Sequence, residues 1–172
     1  EKKKTGAEAP GVLSYFFQLF TGFPIEVFNP VKRTPWLVYG LLVSNILIFG
    51  FELLVFSQGE AAMNAFLQDW AAVSAKIVRG QDLHALVTHA FLHGGLMHLL
   101  GNMLFLWIYG DNVEHRLGRV GFLAAYLGTG MLACGGDALL RLGSSVPSIG
   151  ASGAISGVLG LYFIWFPRNR VR

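Results

Sequence analysis

The chain has 172 residues, a formal net charge of +3, 53% hydrophobic residues and only 13% charged ones, against about 25% charged in an ordinary soluble domain. So few charges cannot coat a water-facing surface, which points to lipid as the main surroundings. The single Cys134 excludes an internal disulfide framework and reads as a small buried side chain. The basic residues form no patch, so nucleic acid is not an expected partner.

The Lys run at positions 2–4 reads as solvated, and no signal peptide is expected, because polar residues rather than an apolar core follow it. The stretch "VLSYFFQLFTGFPIEVF", 12–28, is apolar but interrupted by Gly22 and Pro24, and is predicted to lie on the inner membrane interface. Residues 1–35 therefore form a cytoplasmic or interfacial segment. Residues 36–56, "WLVYGLLVSNILIFGFELLVF", hold one acid, Glu52, near the outer end and suffice to cross a core of roughly 30 Å. Further spans are predicted at about 91–110, 120–140 and 150–166. Between the first two lies an outer loop, about 57–88. Within it Met63, Phe66, Leu67, Trp70, Val73 and Ile77 recur at helical spacing, predicting one amphipathic helix over 60–79 in the membrane plane.

Charge sets the orientation. Lys2, Lys3, Lys4, Lys32 and Arg33 precede the first span, Arg116 and Arg119 separate the second from the third, and Arg168, Arg170 and Arg172 follow the fourth. With these inside, only Lys76, Arg79 and Arg141 are outside. Four crossings, both chain ends in the cytoplasm and Ser152 near the outer face fit that pattern. The expected location is a bacterial plasma membrane.

All five histidines fall between positions 84 and 115, and His89, His93 and His98 enter or line the second span. Ionisable groups inside a bilayer are costly and mark function by default. His98 and Asn102 share a helix face, as do His89 and His93. They could ligate a metal, although no carboxylate or Cys joins them at suitable spacing. They could hydrogen-bond neighbouring helices, or they could donate to a developing oxyanion.

The fourth span bears on that choice. Ser152 sits in "GASG" at its first turn, where a serine is ordinarily a cap. Gly150 and Gly153 permit close backbone approach, and Gly153 with Gly157 forms a small face for tight helix packing. First-turn N–H groups have no intrahelical acceptor and carry the positive end of the dipole. A hydroxyl there assembles a nucleophile and part of an oxyanion hole, which the His98 and Asn102 face could complete.

On "HAFLHGGLMHLLGNMLFLWIYGDNVEHRLG", 89–118, and "GASGAISGVLG", 150–160, the sequence resembles the rhomboid family of intramembrane serine proteases. The first stretch carries His-x-x-x-Asn as His98 and Asn102 with the upstream His93; the second carries Gly-x-Ser-Gly as Gly150 to Gly153. The resemblance covers about residues 36–172. It implies an all-α polytopic membrane protein, a rhomboid-like helical bundle with four of six or more transmembrane helices present. It implies Ser152 as nucleophile, His98, Asn102 and the Ser152 N–H as oxyanion donors, and His93 in a supporting position. Glu114 and Arg116, in "VEHRLG", take structural roles.

The implied reaction is cleavage of a peptide bond in or beside a substrate's transmembrane segment by a Ser–His dyad, with no metal or other cofactor. The partners are then transmembrane-segment substrates and the lipid bilayer. His84-Ala85 stands where many members have Trp-Arg, so the outer loop is expected to pack differently. The family's general-base histidine lies on a sixth span, and His98 and His115 are poor substitutes, so these 172 residues alone are expected not to turn over. The rival readings are a non-catalytic rhomboid-like protein that binds transmembrane helices, and a channel or transporter using the His-lined helix.

Overall fold

The computed structural model describes residues 34–166; the interfacial stretch expected at 12–28 lies outside them. Helix α1, Trp36–Phe56, is apolar all round, but only one stripe is buried: Val38, Leu41, Asn45, Phe49, Glu52 and Val55. Steps of three and four residues put that stripe on one face. Val43, Leu47 and Leu54 are apolar and exposed on the other. A soluble helix would carry charges there; this one is built to meet lipid.

After Gly59 the chain forms α2, Glu60–Trp70, none of whose residues is buried. The single helix expected over 60–79 is interrupted. Ala71 is extended, with φ −86° and ψ 160°, and Ala72–Val73 form strand β1. β1 pairs antiparallel with β2, Pro147–Ser148, in the register Ala72 to Ser148 and Val73 to Pro147. Burial of Ala71, Ala72, Val73 and Ser74 accompanies this pairing; the tertiary contact overrides the local helical pattern. A four-residue α3, Ser74–Ile77, follows. Lys76 Nζ ties the loop together, donating to the Gln68 carbonyl at 2.7 Å and pairing with Asp82 at 2.9 Å. Lys76 accordingly holds the Asp82 carboxyl below the usual range.

A short α4, Ala85–Thr88, runs into a 3₁₀ turn, His89–Phe91. Residues 92–95 then lead to α5, Leu96–Leu140, whose 45 residues are broken at Gly118. There φ is 71° and ψ 168°, a conformation open to glycine and strained for any side chain, so the two arms change direction at that point. Helix α6, Ser152–Trp165, closes the bundle. α1 and α5 are long and apolar enough to cross a membrane, and α6 is a shorter apolar helix of about 21 Å at 1.5 Å per residue.

The second arm of α5 and α6 meet through small residues. A Cβ on Gly153 would come within 2.7 Å of the Ala133 Cβ, one on Gly130 within 3.3 Å of the Ala154 Cβ, and one on Gly157 would overlap Thr129. Backbones this close gain packing that Leu-on-Leu contact cannot supply in lipid, where apolar surface has no hydrophobic incentive to pair. Leu106, Tyr109, Phe122, Tyr126 and Tyr162 belong to the same buried core as Ala154, Ile155 and Val158 of α6.

At the end of α1 where the described chain begins, the Glu114 carboxylate accepts the N–H groups of Leu37 at 3.2 Å and Val38 at 2.9 Å. These are first-turn donors that the helix cannot satisfy itself. Nearby, the Arg116 guanidinium lies 5.1 Å from the centroid of the Trp165 ring.

Candidate active site

Ser152 is the first residue of α6 and is exposed. The first backbone bond of the helix runs from Ile155 N–H to the Ala151 carbonyl at 2.9 Å. The amides of Ser152, Gly153 and Ala154 therefore belong to the turn that has no intrahelical acceptor. Gly150, two residues earlier, has φ +120°. Its N–H donates to the His89 carbonyl at 2.8 Å. A Cβ there would sit 2.7 Å from both Cε1 and Nε2 of His98 and 3.8 Å from Ser152 Oγ. The imidazole and the hydroxyl thus flank the same glycine from two helices, and only the missing side chain makes room for them.

His98 lies in the first turn of α5 and is exposed; Asn102, one turn on, is buried at 8% exposure. Among the described residues, Asn102 Nδ2 has no hydrogen-bond partner. A buried amide donor left unpaired carries its full desolvation cost unless something else accepts from it. His93 is buried at 2% exposure, both its ring nitrogens also lack partners, and its ring meets that of His98 edge-on at 5.2 Å between centroids. Unspent hydrogen-bonding capacity therefore collects around the face that His98 presents to Gly150.

One sequence expectation changes. His89 and His93 do not share a helix face, because α5 begins only at Leu96: His89 is in the 3₁₀ turn and His93 in the linker after it. His89 instead anchors the loop, with Nδ1 against the Ala85 carbonyl at 2.9 Å and its own carbonyl on Gly150. Two contributors escaped the sequence reading: the His89 carbonyl, and Glu52, which accepts the His93 N–H on both carboxylate oxygens at 3.1 Å. A backbone carbonyl leaves no mark in a sequence. Glu52 did leave one, as the only acid in the span 36–56.

His115 is remote from this cluster. It lines a cleft of about 200 Å³ with Thr34, Pro35, Asp111 and Arg119 at the opposite end of α1 from Glu52. His84, in the outer loop, packs its ring edge-on against Trp70 at 5.7 Å and bonds the Asp69 carbonyl through Nε2 at 2.7 Å. Among the described residues, no three His, Cys, Asp or Glu side chains converge where they could hold a metal ion.

A family model for the Rhomboid domain matches residues 80–172. Rhomboid protein 1, mitochondrial, of Saccharomyces cerevisiae is 32% identical over 139 residues, covering 78% of this chain and 38% of the relative. Rhomboid protease GluP of Bacillus subtilis is 35% identical over 126 residues, covering 73% of this chain and 24% of the relative. RHOMBOID-like protein 12, mitochondrial, of Arabidopsis thaliana is 27% identical over 174 residues, covering 86% and 50%. The chain spans half or less of the length of these curated relatives.

Proposed function

Since the chain belongs to the rhomboid family, a family of helical polytopic membrane proteins, we propose that it carries the nucleophile and oxyanion hole of an intramembrane serine endopeptidase. Its substrates are membrane proteins cut in or beside a transmembrane segment. The observation that carries this reading is the pairing of His98 and Ser152 across Gly150.

In the proposed reaction Ser152 Oγ attacks the scissile carbonyl carbon, and its proton passes to an imidazole. That base is a histidine outside these 172 residues, because His98 serves the oxyanion and His115 lies at the far end of the bundle. The carbonyl oxygen becomes an oxyanion that accepts from His98, Asn102 Nδ2 and the Ser152 N–H. Donors fixed in advance at that position stabilise charge as it develops, and cost no reorganisation when it appears. Collapse of the intermediate expels the amine, which takes the proton from the imidazole, and water then releases the acyl group from Ser152. The start of α6 lies near the outer face, in a recess that admits this water, and the basic segments face the cytoplasm of a bacterial plasma membrane.

The test is covalent. A fluorophosphonate applied to the full-length protein labels Ser152, and Ser152→Ala removes both labelling and cleavage while the protein still folds. Labelling at another residue, or cleavage that survives the substitution, overturns the reading. A folded protein that neither labels nor cleaves yet retains transmembrane segments is a helix binder. The 172-residue chain by itself is expected to show no turnover.

A further inference from the structure

Glu52 is the one acidic or basic residue in α1, a helix otherwise fit for a bilayer core, and it is 2% exposed. An acid in that position is costly and persists where it has a task. Its partner is the N–H of His93, 3.1 Å from each carboxylate oxygen. His93 lies in the linker 92–95, which belongs to neither the 3₁₀ turn nor α5. At the linker's start Leu92 bonds back to the His89 carbonyl at 3.3 Å. Among the described residues, Glu52 is the hydrogen-bond contact that reaches the linker's backbone from another span.

The linker also sets the first turn of α5. The His93 ring packs edge-on against His98, and His98 abuts Gly150 beside Ser152 Oγ. The His93 ring makes no hydrogen bond of its own among the described residues, so its place depends on its backbone. We propose that Glu52 is a positioning residue: by holding the His93 amide it fixes the imidazole of His93 against His98, and so fixes His98 against Ser152. The kinetic consequence rests on the protease reading; the geometric consequence does not.

Three variants separate the roles. Glu52→Gln keeps an acceptor oxygen at the same reach, Glu52→Leu keeps the volume and the apolar span but removes the acceptor, and Glu52→Asp withdraws the carboxylate by one methylene. In the full-length protein in phospholipid vesicles, Glu52→Leu is expected to lower kcat about 10- to 100-fold with KM unchanged, and Glu52→Gln to stay within about threefold of wild type, since small misplacements suffice for such losses. In the same samples the His98 imidazole resonances of ¹⁵N-histidine-labelled protein move in Glu52→Leu and hold in Glu52→Gln. Should Glu52→Leu not fold, Glu52→Asp takes its place with the same expected signs.

A folded Glu52→Leu with wild-type kcat, a loss of kcat with His98 unmoved, or a Gln variant as impaired as Leu would overturn the proposal. If wild type neither cleaves nor labels at Ser152, the protease reading fails instead. The His98 resonances then decide alone: displaced in Glu52→Leu they support the positioning role, undisplaced they refute it.

Discussion

Glu52 and Glu114 are both almost fully buried, at 2% and 5% exposure, and both accept backbone N–H groups, at opposite ends of α1. Glu114 matches two oxygens to two helix-start amides. Glu52 spreads both oxygens over a single amide, that of a histidine whose ring nitrogens have no hydrogen-bond partner among the described residues. One end has its hydrogen bonds closed; the other has them held open. In a folded protein such open capacity is expected where a ligand or a transition state will use it. The same contrast holds on α6, which begins with the exposed Ser152 and ends with Trp165 beneath the Arg116 guanidinium.

If that division is right, substitutions at the Ser152 end change rate, and those at the Glu114 end change stability. Ser152→Ala has the largest expected effect: a loss of about 10⁴-fold or more in cleavage at unchanged thermal stability, as for nucleophiles of this type. Next come His98→Ala and Asn102→Ala, each expected to slow turnover by about one to three decades, a range that includes the roughly 10²- to 10³-fold worth of a typical oxyanion donor. Asn102→Ala carries a second signature. It removes a buried donor that nothing in the described residues satisfies, so stability should hold or rise while kcat falls. A parallel fall in both would mean that Asn102 serves packing and not the oxyanion.

Glu114→Ala tests the other end. It leaves the Leu37 and Val38 amides without their acceptor, at about 1–3 kcal/mol of stability for a buried unpaired group. The expected readout is a lower melting temperature, with kcat per folded molecule unchanged. A reduced kcat at full folding would join the two ends and break the contrast drawn here.

The long helices were legible because lipid demands unbroken apolar runs: α1 covers the residues where hydropathy alone put a span. The break between the second and third spans was legible too, since Arg116 and Arg119 interrupt the apolar run, and Gly118 is where α5 changes direction. The outer loop was misread because period-3.6 spacing at Met63, Phe66, Leu67 and Trp70 continues into Val73 and Ile77, while the chain bends at Ala71 to pair with β2. A sheet partner more than 70 residues away leaves no trace in a local pattern. At the candidate site, Ser152, His98 and Asn102 stood out in the sequence because their residue types are out of place among apolar neighbours. The positions of His89 and His93 were not, because a helix start cannot be located to within a turn where Gly94 and Gly95 intervene.

The smallest expected effect is also the most discriminating control. Arg116→Ala removes a cation from the face of Trp165, an exposed contact worth about 0.5–1 kcal/mol. Arg116→Lys should recover part of it, since an ammonium keeps the charge but not the flat stacking surface. Both variants lie at the Glu114 end, so both should leave kcat untouched, and the measurement is a paired one of melting temperature and single-turnover cleavage. Because Arg116 touches the last turn of α6 and Ser152 opens the first, this pair of variants pulls on the same helix from its far end. A change in rate from so slight a loss of stability would mean that α6 transmits strain along its length to Ser152. The closed end would then be part of the candidate site's support and not a separate anchor.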